Sequence, residues 1–167
     1  MSIPDYLRGL RVPFEVILHR PVPSAARLAG TVHVPGRWVA KSVLVRVGSE
    51  YVLAVLPATH KIDFDRLRRV LGVAYVELAD VAELERVFFD CQPGAVPPLG
   101  RAYGVKTVMD AALVGAPEIL FDGNQHHEGV RMRLTDYESV EAPQKAHFAE
   151  AITPKRVKPA KKRRKVG

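Results

Sequence analysis

Residues Trp38 to Pro57, WVAKSVLVRVGSEYVLAVLP, contain two runs of β-branched and apolar residues joined by Gly48-Ser49-Glu50. This pattern is typical of a β-hairpin. Because side chains alternate between the two faces of a strand, Lys41 shares a face with four apolar residues, Val39, Val43, Val45 and Val47. The predicted hairpin therefore places one ammonium group in a row of valines.

A charge in an apolar row is costly unless it has a partner or reaches water. Lys41 can lie at the wet end of its strand, with its stem along apolar surface and its amine in solvent. It can instead line a pocket and bind an anion, such as a substrate phosphate or carboxylate. On the residues alone the first interpretation is favoured, because lysines are almost never fully buried.

Length and composition predict one globular domain. The chain has 167 residues, of which 47% are hydrophobic, which is enough to bury a core. No apolar run is long enough to span a bilayer, and the amino terminus lacks the pattern of a signal peptide, so no membrane partner is expected. The single cysteine, Cys91, excludes an internal disulfide and fits a reducing, cytoplasmic location.

The net charge of +7 is concentrated at the carboxyl end. Eight of the 25 lysines and arginines lie in residues 153–167, which contain no acid, so the other 17 are balanced by 18 acidic residues. The sequence therefore predicts a folded domain, 1–152, and a disordered basic tail, 153–167. Such a tail can hold RNA phosphates, serve as a nuclear-localisation patch or only add solubility. Its densest part is Lys161, Lys162, Arg163, Arg164 and Lys165.

The remaining elements are short and mixed in type. We expect helices at 3–10, 25–29, 64–71, 80–89 and 135–141, and further strands at 14–19, 73–78, 105–110, 118–121 and 130–134. Asp80 with Glu83, and Thr135 with Glu138, have the spacing of capping boxes. Because strands and helices do not alternate regularly, an α+β domain with a mixed sheet is favoured over a doubly wound one.

The segment Cys91 to Gly100, CQPGAVPPLG, carries three prolines and two glycines. Prolines fix some backbone dihedrals and glycines free others, so such a segment can be a rigid loop that presents N–H groups to a ligand. It can equally be a surface connection, and composition does not choose between the two.

Several other chemistries are excluded by their missing motifs. The chain has no P-loop, no dinucleotide fingerprint and no G-x-S-x-G elbow. Adjacent side chains in His126-His127-Glu128 point to opposite sides of an extended chain, which is poor geometry for zinc, so neither metal nor cofactor is expected. Cys91 has no activating neighbour, and Asp90 beside it would raise the pKa of the thiol.

Four features in order carry a resemblance to a known family. They are the strand lysine in VAKSVLVRVGSEYVLAVLPATHKID, the Gly94-x-x-x-Pro98 loop, the strand acid Asp110 and the closing hairpin FDGNQHHEGVRMRL. From about Tyr6 to Val140 the sequence resembles the YbaK / prolyl-tRNA-synthetase-associated editing domain family. The resemblance implies an α+β fold, with a compact mixed-sheet, barrel-like core surrounded by short helices.

The same resemblance implies hydrolysis of the ester bond of mischarged tRNA that carries a small amino acid. The acceptor end of tRNA would be the partner, and docking on an aminoacyl-tRNA synthetase stays open. An aminoacyl ester is already activated, so a placed water, donors for the oxyanion and a held substrate suffice. A hydroxyl of the terminal ribose is expected to assist. A non-catalytic nucleic-acid-binding module of the same fold is the alternative.

The resemblance also assigns roles to residues. The catalytic pair would be Lys41, at the end of the tRNA, and Gly94, whose backbone helps to place the carbonyl and the water. This assignment favours anion binding over solvent exposure for Lys41, and RNA binding over the other roles of the tail. The rest of the loop that would line the aminoacyl pocket is Ala95, Val96, Pro97 and Pro98.

Four further polar residues are candidates, each with an ordinary structural alternative. Asn124 and His126 would lie at the pocket mouth or simply be exposed in a turn. Asp110 would hold the substrate ammonium or cap the following helix, with capping slightly favoured. His33 could reach the cleft of Lys41 but is more typical of a solvated turn residue. Where family members can carry a tyrosine the chain reads Pro21-Val22-Pro23-Ser24, so specificity contacts of that kind are not expected.

Overall fold

The computed structural model describes residues 1–22 and 24–153. The helices among them are α1 (Ile3–Gly9), α2 (Ala25–Val32), α3 (Phe64–Leu71), α4 (Val81–Val87) and α5 (Leu134–Glu141). The strands are β1 (Glu15–Leu18), β2 (Ala40–Val47), β3 (Glu50–Pro57), β4 (His60–Ile62), β5 (Glu77–Leu78), β6 (Lys106–Asp110), β7 (Glu118–Asp122), β8 (Glu128–Arg133), β9 (Gln144–Ala146) and β10 (Ala149–Ala151). Almost all of the predicted basic tail, including Lys161–Lys165, lies outside the described residues.

Three sheets form the domain. The largest has the order β5-β2-β3-β6-β9, in which β2 is antiparallel to β3 and β5, while β6 is parallel to β3 and β9. A second sheet, β1-β8-β7, and the pair β10-β4 are antiparallel. The mixture of parallel and antiparallel neighbours confirms the α+β class.

The described strands do not close into a barrel. Within the described residues the large sheet ends in two short edge strands, β5 with two residues and β9 with three, which do not pair with each other. A bridge between Val39 and Leu120 links the large sheet to the three-stranded one, but a single bridge does not close a barrel. The core is therefore packed between open sheets.

The two faces of the β2–β3 hairpin carry the side chains that the sequence predicts. Ala40 and Leu44 pack into one core group with Leu53, Val55 and Met109. The opposite face of the same hairpin, with Val43, Val45 and Val47, packs against α3 and Phe148. Val39 belongs to a third group with Leu120. The connecting turn is one residue shorter than expected, because Glu50 already pairs with Val47.

Helix α4 is fixed by its first turn, as the sequence predicts. Asp80 accepts a hydrogen bond from the Glu83 N–H and Glu83 accepts one from the Asp80 N–H, which confirms the capping box. The Glu83 carboxylate also accepts hydrogen bonds from Arg46 at 2.7 Å and from Tyr51 at 3.0 Å. These contacts hold α4 against the β2–β3 hairpin. The loop that carries Gly94 follows α4.

The second predicted capping box is wrong. Helix α5 begins at Leu134, its N-cap is Arg133, and no side chain caps it. Leu134 is buried and its N–H donates to the Pro117 carbonyl, so the helix starts as soon as β8 ends and leaves Thr135 inside its first turn. Among the described residues no helix is both long enough and apolar enough to cross a membrane.

Candidate active site

The loop after α4 starts with a tight turn at Gln92-Pro93-Gly94-Ala95. The Ala95 N–H donates to the Gln92 carbonyl at 2.9 Å, and Gly94 has φ of +83°. A hydrogen bond from the fourth residue to the first, proline second and a positive-φ glycine third define a type II turn. The turn chemistry of the sequence therefore fixes the backbone at Gly94.

The closing hairpin of β7 and β8 holds this turn through His126. The His126 ring Nε2 is hydrogen-bonded to the Pro93 carbonyl, and the His126 N–H donates to the Gln92 side chain at 2.8 Å. The Gln92 N–H donates to the Asn124 carbonyl at 2.8 Å. A Cβ at Gly94 would lie 3.3 Å from His126 Cε1. The structure thus brings together two predicted site residues, Gly94 and His126.

An apolar cleft lies between the turn and α4, with an empty volume of about 250 Å³. Gly94 and Val96 are the predicted loop residues that line it. Leu84 and Phe88 of the α4 side are among the apolar residues that line it. The complete lining is Val81, Leu84, Glu85, Phe88, Cys91, Gln92, Pro93, Gly94 and Val96.

The second half of the loop is part of the core instead. Ala95, Pro97 and Pro98 are buried and do not line the cleft. The Pro98 carbonyl accepts a hydrogen bond at 2.7 Å from the hydroxyl of Tyr137, which is fully buried on α5. The loop is therefore anchored at its exit while its entrance forms the cleft wall.

Asn124 is buried, and its side-chain amide is occupied by the protein. Its oxygen accepts from the Ile3 N–H at 2.7 Å, and its nitrogen donates to the Met1 carbonyl at 3.1 Å and to the Tyr103 hydroxyl at 3.2 Å. These bonds fasten the start of α1 to the closing hairpin. The arrangement favours a structural role, and the substrate contact stays a prediction.

Lys41 is partly buried on β2, and its Cα pairs with that of Leu56. Within the described residues its amine has no hydrogen bond or ion pair, and burial lowers its pKa. Lys41 shares the face of Val43 and Val45, whereas the Gly94–Pro98 loop packs on the opposite core group, and Lys41 is not among the residues that line the cleft. Convergence of the amine and the loop on one ester stays a prediction.

Asp110 is completely buried at the end of β6 and caps the next turn, as the sequence favours. One carboxylate oxygen accepts from the Ala112 N–H and the other from the Phe148 and Ala149 N–H groups, all at 2.8 Å. Both oxygens are thus in use inside the protein.

His33 ends α2 with a positive φ of 55° and is exposed. Its backbone N–H donates to the Ala29 carbonyl, and its ring has no hydrogen bond within the described residues. The side chain is thus a solvated turn residue in this structure, and the contact with a cleft at Lys41 stays a prediction.

Asp122 is the last residue of β7, directly ahead of the turn that carries Asn124 and His126. Burial raises the pKa of its carboxyl from 3.8 to about 6, and the nearby His126 and His19 oppose this rise. His19 Nε2 is buried without a hydrogen-bond partner among the described residues, while its Nδ1 bonds to the Arg20 carbonyl. The sequence indicates this buried carboxyl only through the position of Asp122 at the end of an apolar strand.

Cys91 lies in the cleft wall but is not an activated thiol. Burial raises its pKa, and the charge of Asp90 raises it further, as the sequence predicts, although the Tyr103 hydroxyl acts in the other direction. In the described part of the chain, no group of three or more His, Cys, Asp or Glu side chains is arranged to hold a metal ion.

The fold is a small α+β domain with a cleft that is lined largely by apolar side chains and by the loop at Gly94. The chain belongs to the aminoacyl-tRNA editing domain family, whose sequence model matches residues 19–140. This match confirms the family resemblance, and it includes Lys41, the Gly94–Pro98 loop and the closing hairpin.

Several proline–tRNA ligases are similar to this chain in sequence. The enzyme of Geobacillus thermodenitrificans is 30% identical over 108 residues, which are 63% of this chain and 19% of the ligase. That of Xanthomonas oryzae pv. oryzae is 30% identical over 84 residues, 50% of this chain and 15% of the ligase. The chain thus spans less than a fifth of the curated relatives that it matches.

Solved structures share the fold at low sequence identity. A hypothetical protein, APE2540, superposes with a TM-score of 0.80 at 15% identity, over 89% of this chain and 99% of its own. A structure titled "a putative trans-editing enzyme for prolyl tRNA synthetase" superposes with a TM-score of 0.74 at 19% identity, over 83% of this chain and 87% of its own. These similarities confirm the fold.

Proposed function

We propose that this protein is a trans-editing deacylase, which hydrolyses the ester bond of mischarged tRNA that carries a small amino acid. Membership of the editing-domain family supports hydrolysis of an aminoacyl ester. The observation that carries the proposal is the type II turn at Gly94, held between His126 and an apolar cleft. That the protein acts on tRNA charged by a separate synthetase is inferred from its similarity to the proline–tRNA ligases.

The size of the cleft favours a small acyl group. Pockets for drug-sized ligands enclose about 300–1,000 Å³; this cleft is far smaller, because its empty volume of about 250 Å³ includes open solvent and only about 20 Å³ of it is space for a water-sized sphere. Phe88, Leu84 and Val96 would contact the side chain of the amino acid. Exclusion by volume separates amino acids that differ by a methylene only by about 1–3 kcal/mol, so several small amino acids are expected to be accepted.

The Gly94 and Val96 N–H groups are the proposed donors for the oxyanion. Neither donates a hydrogen bond among the described residues, unlike the Ala95 N–H between them. In a trans peptide the N–H points away from the carbonyl, so the Gly94 N–H is directed away from the Pro93 oxygen that His126 holds. His126 is thereby proposed to fix the orientation of this donor without touching substrate.

Hydrolysis then needs only a placed water. The water oxygen adds to the ester carbonyl carbon, and the negative charge that collects on the carbonyl oxygen is stabilised by the two N–H groups. The ester bond to the ribose oxygen breaks, that oxygen takes one proton of the water, and the second is released to solvent. The products are the free tRNA and the carboxylate of the amino acid.

Lys41 is proposed to contact a phosphate at the acceptor end. A partly buried ammonium that has no partner among the described residues has already lost part of its hydration, so an incoming anion gains a charge-assisted contact at low cost. The assignment does not need Lys41 inside the acyl cleft, because the end of a tRNA is long enough to touch both places.

The test is a deacylation assay with tRNAs charged with alanine, serine, threonine, cysteine or aminobutyrate. We expect hydrolysis above the buffer rate for at least one of them, and we expect Lys41→Ala to abolish it while the protein stays folded. Lys106→Ala is the matched control, because Lys106 is an exposed strand lysine that pairs near the other end of β3.

Two results would contradict these assignments separately. Undiminished hydrolysis by Lys41→Ala would remove Lys41 from the mechanism but leave the deacylase. Binding of charged tRNA with no hydrolysis of any of them would favour the non-catalytic binding module.

A further inference from the structure

A groove at one end of the five-stranded sheet contains the only tryptophan of the chain. Trp38 is partly exposed, and the guanidinium carbon of the exposed Arg37 lies 5.5 Å from the centroid of its ring. The groove has an empty volume of about 590 Å³, part of it open to solvent. The remainder of its lining is small and apolar: Ala112, Val114, Gly115, Ala116 and Pro117.

The charge of Arg37 is not compensated within the groove. The acidic residues that flank the 111–117 segment are Asp110 and Glu118, and both are engaged elsewhere. Asp110 is buried and accepts three backbone N–H groups, while Glu118 accepts two hydrogen bonds from Arg131 at 2.7 and 2.8 Å. Among the residues that the structure describes, no acid lines the groove, which therefore attracts an anion.

The groove and Lys41 lie at the same end of the sheet. The 36–38 turn leads into β2, and the 111–113 turn follows β6, whose last residue adjoins the end of β3. Trp38 and Lys41 are three residues apart, at most about 10 Å of extended chain. That span is about the length of three stacked nucleotides at about 3.4 Å each.

We propose that the Arg37–Trp38 groove stacks an unpaired nucleobase of the single-stranded acceptor end of tRNA, with Lys41 on a phosphate of the same strand. The identity of the RNA rests on the proposed function. Indole rings and guanidinium planes are the surfaces on which proteins stack splayed bases, and a nearby cation holds the phosphate. Small residues on the opposite wall leave room for a flat ring.

The single tryptophan makes the contact directly measurable. The full chain is titrated with uncharged tRNA while the fluorescence of Trp38 is followed. We expect a saturable change in emission with intact tRNA. A tRNA that lacks its single-stranded acceptor end should bind through its phosphates but leave the emission largely unchanged.

Variants separate stacking from charge. With fluorescently labelled tRNA, Trp38→Leu is expected to bind about tenfold more weakly, because one stacked base is lost. Trp38→Tyr keeps an aromatic face and should restore most of the affinity. Phe89→Leu is the matched control, since Phe89 is a 76% exposed aromatic on the loop after α4 and should not affect binding. Circular dichroism checks that each variant is folded.

The binding experiments test the stacking proposal separately from the deacylase proposal, because the uncharged tRNA used in them carries no ester to hydrolyse. Trp38→Leu should also raise the KM for charged tRNA, by about the factor by which it weakens the binding of uncharged tRNA. Emission that is unchanged at saturating tRNA, or wild-type affinity in Trp38→Leu, would overturn the stacking proposal even if the protein is a deacylase. An emission change without hydrolysis of any charged tRNA would support the groove and reject the deacylase.

Discussion

Gly94 is under two independent constraints that any side chain would violate. Its φ of +83° lies in the left-handed region, and a Cβ would stand 3.3 Å from His126 Cε1. The first constraint belongs to the turn and the second to the packing of the closing hairpin. A residue that satisfies both leaves the peptide in one orientation, which is what a fixed N–H donor requires.

We expect Gly94→Ala to lower the rate of deacylation by about 100-fold, the effect of losing one oxyanion donor. Its free energy of unfolding should fall by about 1–2 kcal/mol because of the positive φ. Steady-state kinetics and urea unfolding measure the two effects.

Gly48→Ala is the control for backbone strain alone. Gly48 has φ of +63° in the β2–β3 turn, and a Cβ at this position would have nothing within 4 Å of it. The variant should lose similar stability without loss of activity. Equal activity losses in the two variants would show that the turn at Gly94 has no special role.

Asp122 gives the stability a dependence on pH. Burial raises the pKa of its carboxyl to about 6, against the influence of His126 and His19, so the folded protein holds this proton more tightly than the unfolded chain does. The contribution of Asp122 to the free energy of unfolding is therefore greatest at low pH, falls between about pH 4 and pH 6, and stays low above.

Asp122→Asn removes this titration. Near pH 4 the variant should be about as stable as the wild type, and at pH 7 it should be more stable by about 1–2 kcal/mol. Urea unfolding of both proteins at pH 4, 5, 6 and 7 gives the difference. A difference that does not vary with pH would mean that the carboxyl titrates normally.

At the scale of elements, the loop is anchored from one side by α5 and from the other by the β7–β8 hairpin. Tyr137 reaches from α5 to the Pro98 carbonyl, and His126 reaches from the hairpin to the Pro93 carbonyl. The two contacts bracket the residues that form the cleft wall. The composition of the loop thus sets its turn at Gly94, and the two distant elements set where the loop lies in the fold.

Tyr137→Phe tests this anchoring. Removal of the hydroxyl leaves the Pro98 carbonyl without its donor in a buried place, which should cost about 1–3 kcal/mol in the free energy of unfolding. The rate of deacylation should fall while KM changes little, because the donors move but the RNA contacts stay. Tyr75→Phe is the control, since Tyr75 is 80% exposed. If Tyr137→Phe keeps full activity, the exit of the loop does not govern the cleft.

At the scale of the whole molecule, the folded domain is nearly neutral while the chain carries +7. The excess charge lies in residues 153–167, so nonspecific attraction to RNA and chemistry at the cleft are expected to reside in different parts of the chain. Lys41 and Arg37 are then expected mainly to position the RNA strand, after the tail has attracted it.

Deletion of 153–167 should weaken tRNA binding and reduce its dependence on salt, because fewer phosphate contacts release fewer counterions. The kcat should be unchanged. Labelled-tRNA binding at several salt concentrations, with single-turnover hydrolysis at saturating enzyme, measures both. An unchanged slope of affinity against salt would show that the tail does not touch RNA.

Local chemistry made much of the fold predictable. Helix α3 has the predicted bounds because Asp63 caps its start and Gly72 ends it, and Asp110 caps its turn for the same kind of reason. The strands β4, β9 and β10 were not expected. Each has only three residues, and β10 pairs with β4 across more than 80 residues of sequence, where no local signal exists.

The candidate site was likewise predictable only where its structure depends on local sequence. Proline followed by glycine at 93–94 indicates the type II turn, but the contact of His126 with Pro93 joins residues 33 apart and depends on the tertiary fold. The burial of Ala95, Pro97 and Pro98 likewise follows from packing against α5. The groove at Trp38 needs the 111–117 segment to fold back beside it, which the sequence does not indicate.

The alternation of faces along β2 limits how the hairpin can vary. Lys41 and Ser42 are adjacent, yet the lysine shares the face of Val43 while Ser42 shares the face of Leu44 in the main core. Insertion or deletion of a single residue between Lys41 and the β2–β3 turn would move the ammonium to the face of Leu44 and exchange the apolar residues of β2 between its two packed faces. Natural length variants in this strand should therefore change by two residues at a time, or not at all.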